Sequence, residues 1–157
     1  MKGDRQGKVE RLYREHGDLV LRRARRIMAN EADAQEVLQE LFMSIVQKPE
    51  QLDGKTAITG WLYAATTHLC LNTLRNRRNR VRILAQEPPP VAVTDGPEHA
   101  MTAQQLLAQL PEELARIAIY YYFDEMTHEE ISELVGCSRR HVGNLLQQVN
   151  ERMQASA

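Results

Sequence analysis

No apolar run in this 157-residue chain approaches the roughly 20 residues that cross a bilayer. The opening segment, MKGDRQGKVER, lacks the apolar core of a signal peptide. A cytoplasmic protein without membrane insertion is therefore expected. Cysteine is scarce: Cys70 and Cys137 show no CxxC spacing, which excludes a disulfide framework and predicts two reduced thiols. Cys137 and His141 stand four residues apart without a second ligand pair, so neither a metal site nor any other cofactor is expected. A glycine-rich phosphate loop is missing, as is a nucleophile with a positioned base. Glu36 and Glu40 have no ExxH partner, and the chain does not read as an enzyme.

What is present is helical periodicity. Val9, Leu12, Tyr13, His16, Val20, Ala24 and Ile27 keep a 3.6-residue period, and a second helix from about Ala32 is expected to bury Ala34, Val37, Leu38, Leu41, Phe42, Ile45 and Val46 until Pro49 stops it. A third helix begins near Thr59, with Leu62, Ala65 and Leu69 as its packing positions. Further on, Ala103, Leu106, Leu107 and Leu110 line one helix, and Leu114, Ile117, Ala118, Tyr121 and Tyr122 line the next, entered through Pro111. Strands have no clear place, so the fold class is all-α.

Between these groups lies AQEPPPVAVTDGPEHA, where Pro88, Pro89 and Pro90 forbid helix and Asp95, Gly96 and Pro97 favour a turn. Two small helical domains, 1–84 and 98–157, joined by a Pro-rich linker at 85–97, follow from that break. The charge divides at the same place. Residues 1–84 carry 16 Lys/Arg against 10 Asp/Glu, and residues 85–157 carry 4 against 11, so a net charge of -1 conceals a basic part that would draw a polyanion.

Thr127 to Leu146, THEEISELVGCSRRHVGNLL, has the spacing of a helix-turn-helix. Thr127 and Glu130 form a capping-box pair, and Ile131, Leu134 and Val135 make a buried stripe. Gly136 supplies the positive φ that ends the helix, and Ser138 caps the next. In that second helix Val142, Leu145, Leu146, Val149 and Met153 share one face. Arg139, Arg140, His141 and Asn144 are then placed to meet base edges in a major groove. Ser132 is small enough for a close helix crossing.

The third helix carries a second signal. Trp61 and Tyr63 open it and Arg75, Arg77, Arg78, Arg80 and Arg82 crowd its end, the combination of rings and guanidiniums that suits single-stranded nucleic acid. The run Arg22, Arg23, Arg25 and Arg26 adds basic charge to the first helix.

Three blocks, in order, resemble the extracytoplasmic-function (ECF) class of bacterial RNA polymerase sigma factors, which keep the second and fourth sigma domains. DAQEVLQELF, residues 33–42, is similar to the family's polymerase-binding segment. GWLYAATTHLCLNTLR, residues 60–75, is similar to its strand-opening segment, and LPEELARIAIYYYFDEMTHEEISELVGCSRRHV, from Leu110, to its fourth domain. The resemblance implies an alternative sigma factor that binds core RNA polymerase and directs promoter-specific initiation without covalent chemistry. It implies that Glu36, Gln39 and Phe42 face or support the β′ clamp helices, and that Trp61, Asn72, Arg75 and Arg78 lie on the minus-10 surface. Arg139, Arg140, His141 and Asn144 would read the minus-35 element, the acidic face before them would meet the β flap, and an anti-sigma factor would be a partner. Glu36, His68 and Asn72 depart from the family pattern, as do Ala64, Thr67, Gln147 and Gln148 at positions often basic. The alternative is a dimeric helix-turn-helix regulator of duplex DNA, which leaves the first two blocks without a task.

Overall fold

Ala29 takes a left-handed backbone, φ 54°, and so breaks the first helix from the second. The next residue, Asn30, is extended, and its side-chain oxygen accepts from the backbone N–H of Asp33 at 3.0 Å, capping the new helix. Arg25 closes the corner with two bonds to the Glu31 carboxylate, Nε–Oε2 2.6 Å and Nη2–Oε1 2.8 Å. In this computed structural model residues 2–85 and 101–155 are described. They form α1 (Lys2–Met28), α2 (Glu31–Gln47), a 3₁₀ turn (Pro49–Leu52), α3 (Ile58–Ala85), α4 (Ala103–Gln109), α5 (Glu112–Ala118), a π turn (Ile119–Phe123), α6 (His128–Val135) and α7 (Arg139–Ala155). Among the described residues there is no strand, and no helix is long and apolar enough to cross a membrane.

The chain divides into two compact units, Met1–Cys70 and Leu71–Ala157, with the division inside α3. In the first, α1 and α2 pair around Val20, Leu38, Leu41, Phe42 and Ile45, and Leu62 of α3 joins that core. Pro49 ends α2 as expected, and Gln51 Nε2 donates to the carbonyls of Ser44 and Lys48 at 3.0 Å each, satisfying the helix end. In the second unit α5, α6 and α7 pack around Leu114, Ile117, Ile131, Val142, Leu145 and Val149.

Several apolar positions depart from the expected stripes. Val46 is 56% exposed because the α1–α2 pairing leaves that edge of α2 open, and Tyr13 is half exposed although its ring meets Phe42 edge-on at 5.0 Å. Tyr121 and Tyr122 are exposed while Ile119 and Tyr120 are buried. The π turn is the reason: Asp124 N–H donates to Ile119 O, five residues back, which rotates the following side chains off the 3.6-residue face. Pro111 stands at the N-cap of α5, just outside its first turn. The linker read at 85–97 lies outside the described residues except for Ala85, which closes α3.

Candidate nucleic-acid and polymerase interfaces

The α6–turn–α7 corner is built by three local devices. Thr127 N–H donates to Glu130 Oε1 at 3.0 Å and Glu130 N–H to Thr127 Oγ1 at 3.1 Å, completing the capping box. Accepting the Thr127 backbone N–H, with the Thr127 hydroxyl contributing second, holds the Glu130 carboxyl below the usual range. Gly136 ends α6 with φ 76°, and the N–H groups of Gly136 and Cys137 both donate to Ser132 O, at 2.9 and 3.1 Å. Ser138 Oγ accepts the His141 N–H at 3.0 Å and starts α7.

Packing follows one face. Ile131 and Ser132 of α6 are buried against α7, whose Val142, Leu145, Leu146 and Val149 point inward. Leu134, 48% exposed, and Val135 do not join them, because α6 meets its neighbours along one narrow edge centred on Ile131 and Ser132; Met153, near the end of α7, is exposed as well. Gly143 faces the His128 imidazole, which an added Cβ would meet at 3.9 Å, an ordinary van der Waals contact. Arg139, Arg140, His141 and Asn144 are all exposed on the first turns of α7. His141 Nε2 stands 3.7 Å from Glu113 Oε1 of α5, an ion pair when the imidazole is protonated.

In the first unit Glu36 and Gln39, one turn apart on α2, are exposed. Phe42, one turn further, is 6% exposed and belongs to the core. Gln39 and Phe42 line a groove between α1 and α2 with Tyr13, Gly17, Leu38 and Met43. Trp61 is half-buried and packs against the same core. Tyr63 is not a bare platform. The Arg23 guanidinium sits 3.4 Å from its ring centroid, and Arg23 Nε donates to Thr67 Oγ1 at 2.9 Å. Arg23 therefore leaves the basic run to which the sequence assigned it: Arg23 is buried, Arg25 is bonded to Glu31, and Arg22 and Arg26 are exposed. The clue was its register with Val20, Ala24 and Ile27 on the buried face of α1.

α3 contains no Asp or Glu, and Arg77, Arg78 and Arg80 are exposed near its end together with Asn72. Within the unit Leu71–Ala157, Arg75 Nη2 donates to Leu110 O at 3.2 Å and its Nη1 lies 3.7 Å from Glu112, while Arg78 Nη1 reaches Ala108 O at 3.5 Å. Burial pushes the Cys70 thiol up to about 12, which keeps it protonated and unreactive. Among the described residues no group of three or more His, Cys, Asp or Glu gathers to hold a metal.

An acid-free, arginine-ended helix and a capped helix-turn-helix with an exposed polar edge give a helical protein with two candidate DNA-binding surfaces. Residues 12–80 match the family described as Sigma-70 region 2, and residues 100–153 match Sigma-70, region 4. The chain belongs to the sigma-70 family of RNA polymerase sigma factors, in its ECF group. It is 28% identical over 137 residues to the ECF RNA polymerase sigma factor SigE of Mycolicibacterium smegmatis, an alignment covering 81% of this chain and 52% of SigE, so it spans about half the length of that relative. To the RNA polymerase sigma factor YlaC of Bacillus subtilis it is 25% identical over 147 residues, covering 88% of this chain and 85% of YlaC. Its fold is similar to that of the sigma factor RpoE crystallised with the anti-sigma factor NepR from Bartonella quintana, with TM-score 0.52, 13% identity, and 93% and 94% of the two chains covered.

Proposed function

We propose that this chain is an alternative sigma factor that binds core RNA polymerase and directs initiation at a defined set of promoters, working in the cytoplasm and catalysing no covalent step itself. The observation that carries this reading is the succession of region 2 and region 4 matches along one chain, the second ending in the capped α6–α7 corner. Residues 1–84 are assigned to polymerase binding and minus-10 opening, 85–97 to a linker, and 98–157 to minus-35 reading.

Glu36 and Gln39, exposed on α2 beside the α1–α2 groove, are assigned to the β′ clamp helices, with Phe42 supporting them from the core. Trp61, Asn72, Arg75 and Arg78 are assigned to the minus-10 strand, where arginines follow the backbone and a ring stacks on an unpaired base. Arg139, Arg140, His141 and Asn144 are assigned to base edges of the minus-35 element. The acidic residues ahead of α7 are assigned to the β flap, and an anti-sigma factor is the regulatory partner suggested by the NepR complex of the structural neighbour. Run-off transcription from genomic fragments, with and without this protein added to core polymerase, tests the reading. New start sites preceded by a common minus-35 sequence support it; duplex binding by the free protein without new start sites favours a helix-turn-helix regulator.

A further inference from the structure

Arg23 is 8% exposed, on the core side of α1, and its hydrogen bond to Thr67 and its stack on Tyr63 both reach α3. The seam that α3 offers there is small and polar. Leu62, Thr66, Thr67 and Cys70 are its fully buried positions before Leu71, and Leu62 is the only large apolar side chain among the four. Ile58, Trp61 and Leu69 pack on the core from the edges of that seam, but at Thr66, Thr67 and Cys70 themselves the small side chains add little directional packing to hold the rotation of the helix. The two hydroxyls do not help across the seam as donors, since Thr66 Oγ1 donates to Leu62 O at 2.6 Å and Thr67 Oγ1 to Tyr63 O at 2.9 Å, both within α3.

What is directional is the guanidinium. Thr67 Oγ1, its proton committed to Tyr63 O, has a lone pair left and accepts Arg23 Nε at 2.9 Å. The guanidinium also covers the ring of Tyr63 at 3.4 Å, four residues before Thr67 and on the same side of α3. We propose that Arg23 is a positioning residue for promoter opening: its fork on Thr67 and its stack on Tyr63 fix the rotation of α3 and thereby the presentation of Trp61. Trp61 and Tyr63 flank Leu62, each about 100° around the helix from it. A rotation that takes Tyr63 off the guanidinium therefore carries Trp61 away from its half-buried position. Lysine cannot replace arginine here, since a point donor cannot stack on the ring and bond the hydroxyl together.

This inference rests on the sigma-factor reading, and its test separates the two. Holoenzymes carrying wild type, Arg23→Lys, Tyr63→Phe or Tyr63→Leu are compared on one promoter found by run-off transcription, with 2-aminopurine fluorescence in the minus-10 element reporting opening. Affinity for core polymerase and thermal melting of each variant are measured alongside. Arg23→Lys and Tyr63→Leu are expected to lower opening about tenfold or more, whereas their core affinity stays within about twofold of wild type. Tyr63→Phe keeps the ring and is expected to open normally. A template already unpaired at the minus-10 element is expected to restore transcription by Arg23→Lys, a rescue that simple loss of stability would not give. Normal opening by Arg23→Lys, no rescue on the unpaired template, or a Tyr63→Phe defect equal to that of Tyr63→Leu overturns the role. If Arg23→Lys fails to fold, the Tyr63→Phe and Tyr63→Leu pair decides. Absence of initiation by wild type overturns the sigma-factor reading itself.

Discussion

Arg75 and Glu112 are ion-paired at 3.7 Å, with the same guanidinium donating to Leu110 O at 3.2 Å. Leu110 ends α4 and Glu112 lies in the first turn of α5, so Arg75 ties the corner between two short helices. A guanidinium turned toward a carbonyl and paired with a carboxylate has fewer donors free for a phosphate, and the carboxylate's charge opposes one, so the two uses compete. Glu112→Gln is therefore expected to strengthen binding of a single-stranded minus-10 oligonucleotide by the free protein. The pair is partly exposed, so the gain should not exceed about 1 kcal/mol. Fluorescence anisotropy checks it, and the gain should vanish when Arg75→Ala is added.

Gln39 and Phe42 differ as probes of the polymerase contact because one is exposed and the other is core. Gln39→Ala is expected to weaken association with core polymerase and leave the melting temperature unchanged. Phe42→Ala is expected to cost about 3–5 kcal/mol of stability, since its ring packs on Tyr13 and fills the space between α1 and α2. Thermal melting beside co-elution separates the two effects.

Gly136→Ala is expected to cost about 1–2 kcal/mol in urea unfolding. The cause is strain at φ 76° rather than a clash, because an added Cβ there meets no atom within 4 Å. Thr127→Ala removes the other end of the α6 cap and should cost about 1 kcal/mol.

Acid should release the α1–α2 corner. Two bonds from Arg25 and one from Gln35 lower the Glu31 carboxyl from 4.5 to about 2. A carboxyl held low in the folded state stabilises fully above its unfolded value and loses that contribution as pH falls through the folded one. The contribution is thus present above pH 4.5 and gone below about 2. Glu31→Gln should flatten the stability–pH curve across that interval, and added salt should shrink the difference between the two proteins. Urea midpoints measured across the interval check both.

Arg140→Ala should relax or weaken minus-35 recognition by about 1–3 kcal/mol if the side chain binds a base edge through two hydrogen bonds. Transcription from promoters mutated one base at a time reads this directly, and an unchanged minus-35 preference would remove Arg140 from that role.

The α6–α7 corner was legible in the sequence because its devices are local: Thr127 and Glu130 are three apart, and Gly136 and Ser138 bracket the turn. The α1–α2 pairing shows the limit of periodicity, since Val46 keeps the period of α2 but is left 56% exposed at the edge of the groove between the two helices. Tyr121 and Tyr122 escaped for a different reason, one added residue in the turn that shifts the face. Arg23 was hidden by its neighbours Arg22, Arg25 and Arg26, which made a buried cation look like part of a surface run. Arg75 meets a carbonyl 35 residues away, and no spacing rule reports such a partner.

Co-elution of the purified protein with bacterial core RNA polymerase in gel filtration, followed by run-off transcription, tests the central claim most directly. The account predicts a stoichiometric complex that starts transcription at defined sites, with Gln39→Ala reducing both complex and transcript. A protein that elutes apart from polymerase while binding specific duplex DNA by itself would contradict it.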